Sequence, residues 1–468
     1  MPTMRPRRKA KMDGIQSPKP QHPLRVCELF AGVGGFHLGL KAAGMNVVWA
    51  NQWEPDTQSQ HAFDCYARHF PGVGVNEDIC KVIDAYHRGD RLGRPIPKQH
   101  DVLVGGFPCQ DYSVAKPLSQ AAGIEGYKGV LWWQIERWLF HFRPGYLFLE
   151  NVDRLLKSPS DQRGRDFAVM LSCLARLGYE VEWRVINAAD YGFPQKRRRV
   201  FIVGRHRSVI REAVKNPLHW ILDAGVIAEA CPVKLRRPNL LPEFESIDSS
   251  LWLDSSSSED GPDPYLVTKH FGKGLKQTPF LNAGYMRDGQ VWTLDVIADH
   301  KGAKARLKSL LQPERDVPEE YWVKGSALAK WKYLKGAKAE RRIHPKTGFE
   351  YFYTEGGIPF PDRIDGPART ILTGEGGNTP SRFKHIIEPK GDGRYRRLTP
   401  VELERVNGFP DDWTAGMPDG RRAFCMGNAL VVGLVERIGR VLAVRAATSE
   451  SGGLVRDRVR KSSSKARR

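Results

Sequence analysis

The sequence predicts an α/β protein in which a doubly wound, mostly parallel sheet is joined by a second, smaller and irregular domain. Three observations predict it. Short apolar runs rich in Val, Ile and Leu alternate with amphipathic stretches from residue 24 to residue 204. Several runs end in glycine or polar residues, the composition of a carboxyl edge where such sheets bind ligands. The alternation stops after residue 205, and Gly, aromatics and Lys then predominate without a clear period. At 468 residues the chain is also too long for one ordinary domain.

Taken in order, residues 24–30 (LRVCELF) read as a buried parallel strand. A glycine loop follows, then a helix that Gly44 ends as its C′ residue. Residues 45–50 read as a second strand and 57–70 as a helix stopped by Pro71-Gly72. Strands are expected at 101–106, 146–150, 180–186 and 200–203, with an amphipathic helix at 167–177 closed by Gly178. Residues 245–264 (ESIDSSLWLDSSSSEDGPDP) are acidic and of low complexity, a surface loop or linker. Residues 265–395 read as short strands and loops. A helix over 397–407, capped by Thr399-Pro400, and another over 428–443 complete the pattern. The organisation expected is a basic disordered tail (1–20), a large domain (21–204), a smaller one (205–395), a C-terminal segment (396–445) and a second basic disordered tail (446–468).

Composition excludes several classes. No apolar run approaches the roughly 20 residues that span a bilayer, so no membrane partner is expected. The basic N-terminus is not followed by the apolar stretch of a secretory signal. Seven cysteines, without CxxC or Cys/His pairing, argue against a disulfide framework and against any metal site, and for a reducing, cytoplasmic setting. The net charge is +20, half of it in the two tails. Such a balance suits a polyanion, most simply nucleic acid, though a solubilising excess accounts for it equally.

Individual residues carry chemistry. Gly32, Gly34 and Gly35 form a strand-to-helix turn that lets the backbone approach a ligand, and a plain tight turn needs the same glycines. The second strand ends in Asn51-Gln52-Trp53-Glu54, where a polar residue contacts a ribose in such folds and Trp53 either stacks on adenine or packs inside. Cys109 follows Pro108 on a loop at a carboxyl edge, the place of a nucleophile. Cys27, Cys65 and Cys173 read as small hydrophobes. Glu150, at the next strand end, is an acid or hydrogen-bond partner, or a cap or ion pair. In the run from Gln195 to Arg199, alternation puts Arg197 and Arg199 on one side and Lys196 and Arg198 on the other, unless the run is a solvated edge. Residues 324–346 hold eight basic residues and one acid, with Trp331 and Tyr333 interleaved, which suits phosphate contact or a solvated loop.

Together these segments resemble the DNA (cytosine-5) methyltransferase family, bacterial type. ELFAGVGGFHLGL, GGFPCQDYS, LFLENV, YGFPQKRRRVFIVG, RRLTPVELERVNGFPDDW and GNALVVGLVERIG occur in the family's order across residues 24–440. The resemblance implies a Rossmann-like, S-adenosylmethionine-dependent methyltransferase fold. Residues 21–204 would form its catalytic and cofactor domain, 205–395 its target-recognition domain, and 396–445 a segment returning to the first. It implies site-specific methylation of a flipped cytosine in double-stranded DNA. Cys109 would attack C6, Glu150 would act at N3, and Arg197 and Arg199 would hold O2. S-adenosylmethionine would meet Phe30, Ala31, Gly32, Gly34, Gly35, Gln52, Trp53, Glu54, Asp78, Ile79, Pro108, Leu131, Asn428 and Ala429. DNA would meet Gln110, Ser113, Lys330, Lys332, Lys335, Thr370 and Leu372.

The implied setting is a monomer at the nucleoid, in a restriction–modification or related bacterial or phage context, with a cognate endonuclease as partner. The sequence departs from the family at Gln52, where an acid is usual and Glu54 lies two residues on, at Lys128 for Arg and at Ala429 for Ser. A transfer-RNA cytosine-5 methyltransferase is disfavoured by the size of residues 205–395 and the lack of a Cys-Phe-Thr element. An inactive DNA-binding regulator is disfavoured by the intact Cys109, Glu150 and Arg199.

Overall fold

The computed structural model describes residues 22–55, 57–90, 92–107, 131–159, 161–237, 251–253, 261–343 and 348–465. Its first half follows the expected alternation: β1 (Arg25–Leu29), α1 (Gly35–Ala42), β2 (Asn46–Asn51), α2 (His61–His69), β3 (Gly74–Val75), α3 (Ile79–Arg88), β4 (Val102–Gly106), α4 (Leu131–Phe142), β5 (Tyr146–Val152), α5 (Arg165–Arg176), β6 (Tyr179–Asn187) and β7 (Arg198–His206). After these come α6 (Pro217–His219), α7 (Val226–Ala230), β8 (Val233–Leu235), β9 (Leu251–Trp252), α8 (Pro264–His270), β10 (Ala283–Arg287), β11 (Gln290–Leu294) and β12 (Val296–Ala298). The chain closes with α9 (Gly325–Lys335), β13 (Lys338–Ile343), β14 (Glu350–Glu355), β15 (Ile386–Ile387), β16 (Arg396–Arg397), α10 (Pro400–Asn407), α11 (Asp419–Asn428) and α12 (Val432–Lys465).

Ten strands form one sheet in the order β3-β2-β1-β4-β5-β7-β6-β10-β11-β9. The strands from β3 to β5 are parallel, and every pairing beyond β5 is antiparallel. The chain leaves β1 toward β2 on one side and later returns to place β4 on the other. The carboxyl ends of β1 and β4 therefore flank the switch point, where an open sheet leaves a crevice.

The structure departs from the expected organisation in three places. The sheet runs through residue 205, because β10 pairs along β6 from Ala283↔Arg184 to Met286↔Val181. β6 is buried on both faces, and its free edge needs a partner strand. Part of the acidic segment, residues 251–252, is the edge strand β9 paired to β11. The last helix starts at Val432, since Ala429 is extended (φ −60°, ψ 153°), and it continues to Lys465 through most of the expected tail.

Two apolar layers cover the sheet. One packs α3, α4 and α5 under residues such as Trp138, Phe167 and Leu149. The other joins α1 and α2 to the C-terminal helices through Leu40, Tyr66, Val435 and Ile438. A Cβ on Gly39 would lie 2.8 Å from the Val435 side chain and 2.9 Å from the Val432 carbonyl oxygen, so α1 and α12 meet almost backbone to backbone. α10 begins as the sequence predicts. Thr399 and Glu402 form a reciprocal capping box with Pro400 at the first turn.

Candidate active site

The turn after β1 is held from two sides. Phe30 and Gly32 have positive φ (56° and 57°), as does Gly34 (88°), which begins α1. At Gly34 both conformation and space demand glycine, because a Cβ would lie 2.6 Å from the Phe70 ring. The Ala31 amide donates to the Asn51 carbonyl at 3.0 Å, and the Gly32 amide donates to Oε1 of Gln52 at 2.7 Å. Gln52 thus braces the glycine turn. From the C-terminal segment, Trp413 Nε1 donates to the Val33 carbonyl at 2.8 Å, and Leu430 lies against Gly35.

Trp53 is 36% exposed, with the Lys81 ammonium 5.9 Å from its ring centre. Asp78 caps α3 by accepting from the Cys80 amide at 2.9 Å, and Ile79 is buried beneath. Leu131 opens α4 and packs on the core. Glu54 is less available than its position suggests. One oxygen accepts from the Ala62 amide at 3.0 Å and the other from Arg421 Nη2 at 2.6 Å. Asn428 ends α11, exposed, with half-buried Ala429 next to it.

Glu150 stands opposite Gly106 in β4 and Phe201 in β7. Its carboxyl is almost buried, and Oε1 lies 3.0 Å from Arg199 Nε. Burial raises its pKa above the ordinary carboxylate value, and Arg199 and Arg197 pull back only part of the shift. Next to it, Asn151 Nδ2 donates to the Phe107 carbonyl at 2.9 Å, which fixes the chain two residues before Cys109. Pro108, Cys109, Gln110 and Ser113 themselves lie outside the described residues.

The cationic run alternates as expected: Arg197 is buried, Arg199 half-buried, and Lys196 and Arg198 are exposed. Arg197, however, is engaged by backbone. Its guanidinium donates to the carbonyls of Ile371 (3.2 Å), Gly427 (2.9 Å) and Asn428 (3.1 Å). This corrects its expected role at O2: a planar fork committed to three carbonyls holds backbone in place. In the sequence Gln195 reads as the first residue of a charge run. It is fully buried, donates to Asn407 Oδ1 at 2.7 Å and accepts from the Ile371 amide at 3.4 Å.

The expected DNA contacts divide. Lys330 and Lys332 are exposed on α9. Lys335 is not: its side chain is fully buried, with Nζ 2.9 Å from Asp362. An ammonium spent on a buried carboxylate cannot also meet a phosphate, so Lys335 is removed from the contact set. Trp331 is buried as well, and Tyr333 is 61% exposed. Thr370 spends its hydroxyl on the Lys196 carbonyl, while Leu372 is 41% exposed. The residues that sequence reasoning missed, Asn151, Gln195 and Arg421, are polar groups paired with partners far along the chain, which local pattern does not reveal.

A profile of the C-5 cytosine-specific DNA methylase family matches residues 24–443. The chain is 44% identical over 430 residues to the Type II methyltransferase M.Sau3AI of Staphylococcus aureus, covering 89% of this chain and 94% of that one. It is 24% identical over 465 residues to the Type II methyltransferase M.NlaIV of Neisseria lactamica, covering 90% and 98%. Among solved structures, the S. pombe Dnmt2 methyltransferase shares the fold with a TM-score of 0.50 at 15% identity, over 88% of this chain and 96% of that one.

Proposed function

Because the chain belongs to the C-5 cytosine-specific DNA methylase family, it is a cytosine C5 methyltransferase acting on DNA, and we propose how its residues divide that work. The cofactor we infer is S-adenosylmethionine, and the residues fit it. Gly32 sits at the switch-point crevice with nothing within 4 Å of where a Cβ would stand, so its backbone is open to a ligand. Phe30, Ala31, Gly32, Gly34, Gly35 and Gln52 would hold the methionine and ribose parts. Trp53, Asp78, Ile79, Pro108 and Leu131 would hold the adenine, with Asn428 and Ala429 closing the site. When bound, S-adenosylmethionine supplies an electrophilic methyl group on a sulfonium sulfur.

The chain's own residues prepare the base. Cytosine C5 is a poor nucleophile, so the Cys109 thiolate adds to C6 and loads electrons into the ring. Glu150 keeps a proton at N3, where charge would otherwise build up, and Arg199 hydrogen-bonds O2. C5 then has enamine character. After methylation, loss of the C5 proton and expulsion of Cys109 restore aromaticity. The base reaches these groups only after flipping out of the duplex, at a few kcal/mol. The observation that carries this reading is the Glu150–Arg199 pair, a desolvated carboxyl of raised pKa bonded to a guanidinium at the sheet's carboxyl edge.

We further infer a monomer that protects the site cut by a cognate endonuclease, in the cytoplasm at the nucleoid. No described helix is long and apolar enough to cross a membrane. Incubation with methyl-labelled cofactor and either unmethylated duplex DNA or transfer RNA, followed by mapping of 5-methylcytosine, tests the reading. Label in duplex DNA at one repeated sequence is expected. Label in transfer RNA alone, or none, would overturn it.

A further inference from the structure

β13 and β14 form a two-stranded antiparallel ribbon paired from Lys338↔Glu355 to Ile343↔Glu350. Alternation sorts its side chains into two faces. The inner face carries Lys338, Glu340, Arg342, Tyr351, Tyr353 and Glu355. It packs on itself and on α9: the Tyr333 hydroxyl donates to Glu340 at 3.1 Å, the Lys338 ammonium lies 4.6 Å over the Tyr333 ring, and Arg342 lies 3.7 Å over Tyr353. The outer face carries Ala339, Arg341, Ile343, Glu350, Phe352 and Thr354, all exposed. Phe352 is 73% exposed and Ile343 62%. An isolated ribbon is marginal in water, and leaving its largest apolar groups wet adds nothing to its stability. The inner face anchors the ribbon, so the fold leaves the outer face unused.

We propose that this outer face enters the major groove of the substrate duplex and reads apolar base edges through Ile343 and Phe352; the proposal rests on the reading of duplex DNA as substrate. A two-stranded ribbon is one of the two elements that the roughly 12 Å major groove admits. Electrostatics favour this occupant. Lys324, Lys330 and Lys332, at the start of α9 and along it, are exposed and make no ion pair among the described residues, so they can meet phosphates beside the groove. A second copy of a chain carrying +20 would bring like charges together instead. Arg341 is paired with Glu350 on the outer face, so that face offers shape and apolar contact rather than net charge. The apolar group that base pairs display in the major groove is the thymine methyl. Ile343 and Phe352 therefore call for at least one thymine in the recognised sequence.

The test uses the full chain, an unmethylated plasmid, and amplified duplexes of the same sequence containing thymine or uracil. Ile343→Ser with Phe352→Ser should keep the melting temperature and cofactor affinity of the parent, because both side chains are exposed. It should lower kcat/KM on the plasmid by about ten-fold or more, chiefly through KM. The parent should favour the thymine duplex by about four-fold per methyl contacted, and the double variant should lose that preference. An active parent whose double variant is equally efficient would overturn the proposal, as would a parent indifferent to uracil. So would a parent that sediments as a dimer and becomes a monomer in the double variant. A parent that methylates no duplex at all would sink the DNA reading first, and the ribbon with it.

Discussion

Arg197 donates to the carbonyl of Ile371 at 3.2 Å, across 174 positions of sequence. The same guanidinium reaches Gly427 and Asn428. One buried side chain thus ties the strand bearing Arg199 to the chain at Ile371 and to the end of α11. A Cβ on Gly427 would lie 2.5 Å from the backbone of Leu372 and Thr373, so those two segments also touch directly.

Cys109→Ser should abolish methyl transfer while folding and cofactor binding persist, because a hydroxyl ionises far less readily than a thiol. Burst and steady-state assays with labelled cofactor check it, and normal turnover would remove Cys109 as the nucleophile.

Glu150→Gln should slow the chemical step by about 10²–10⁴-fold. Burial raises the Glu150 pKa, so its proton persists above the ordinary carboxylate range and is lost as pH rises further. The parent's single-turnover rate should therefore fall along an alkaline limb that the amide lacks. A change confined to the cofactor dissociation constant would make Glu150 a binding residue instead.

Glu28 predicts a pH dependence of stability. It is fully buried in β1, with the Tyr66 hydroxyl 3.4 Å away, and desolvation lifts its pKa from the ordinary 4.5 to about 8. Between those values the folded state holds a proton that the unfolded chain has released. Stability then falls as pH rises toward about 8, by up to roughly 1.4 kcal/mol per unit, and this loss ends above it. Glu28→Gln should flatten that slope in melting curves from pH 5.5 to 8; parallel slopes would count against it.

The lysines of α9 should separate. Lys330→Ala and Lys332→Ala should weaken binding to all duplexes alike, each lowering the log–log salt slope by about 0.9 if it meets one phosphate. Lys335→Ala should instead cost about 3 kcal/mol of stability, the low end for a broken buried pair, because Arg369 still bonds Asp362. Chemical denaturation distinguishes the two classes.

Gln52→Glu should tighten cofactor binding modestly. The carboxylate can still accept from the Gly32 amide and offers a charged second oxygen to a ribose. Quenching of Trp53 fluorescence reads the affinity. A weaker complex would show that bracing the glycine turn, not meeting the ribose, is what position 52 supplies.

The strand alternation was legible because each run from residue 24 to 204 carries its own period and its own breakers. The glycine turn, Glu150 and the capped helix at Thr399 were legible for the same local reason. Lys335 and Arg197 were not. Both sit in cationic runs that suggest a solvated or substrate-facing role, and only the fold shows that Asp362 and three backbone carbonyls claim them. The extension of the sheet by β9, β10 and β11 was hidden as well, because antiparallel edge strands joined through loops carry no signal of the sheet they enter.

The near-contact of Gly39 with Val435 has a consequence for how the protein is made. The first helix leaves the ribosome some 400 residues ahead of the helix that covers it, on the order of tens of seconds at ordinary rates of synthesis. Through that interval the face of α1 bearing Leu40 lacks the helix that covers it. A stop codon before residue 435 would leave the face of α1 that bears Leu40 without the helix that packs on it.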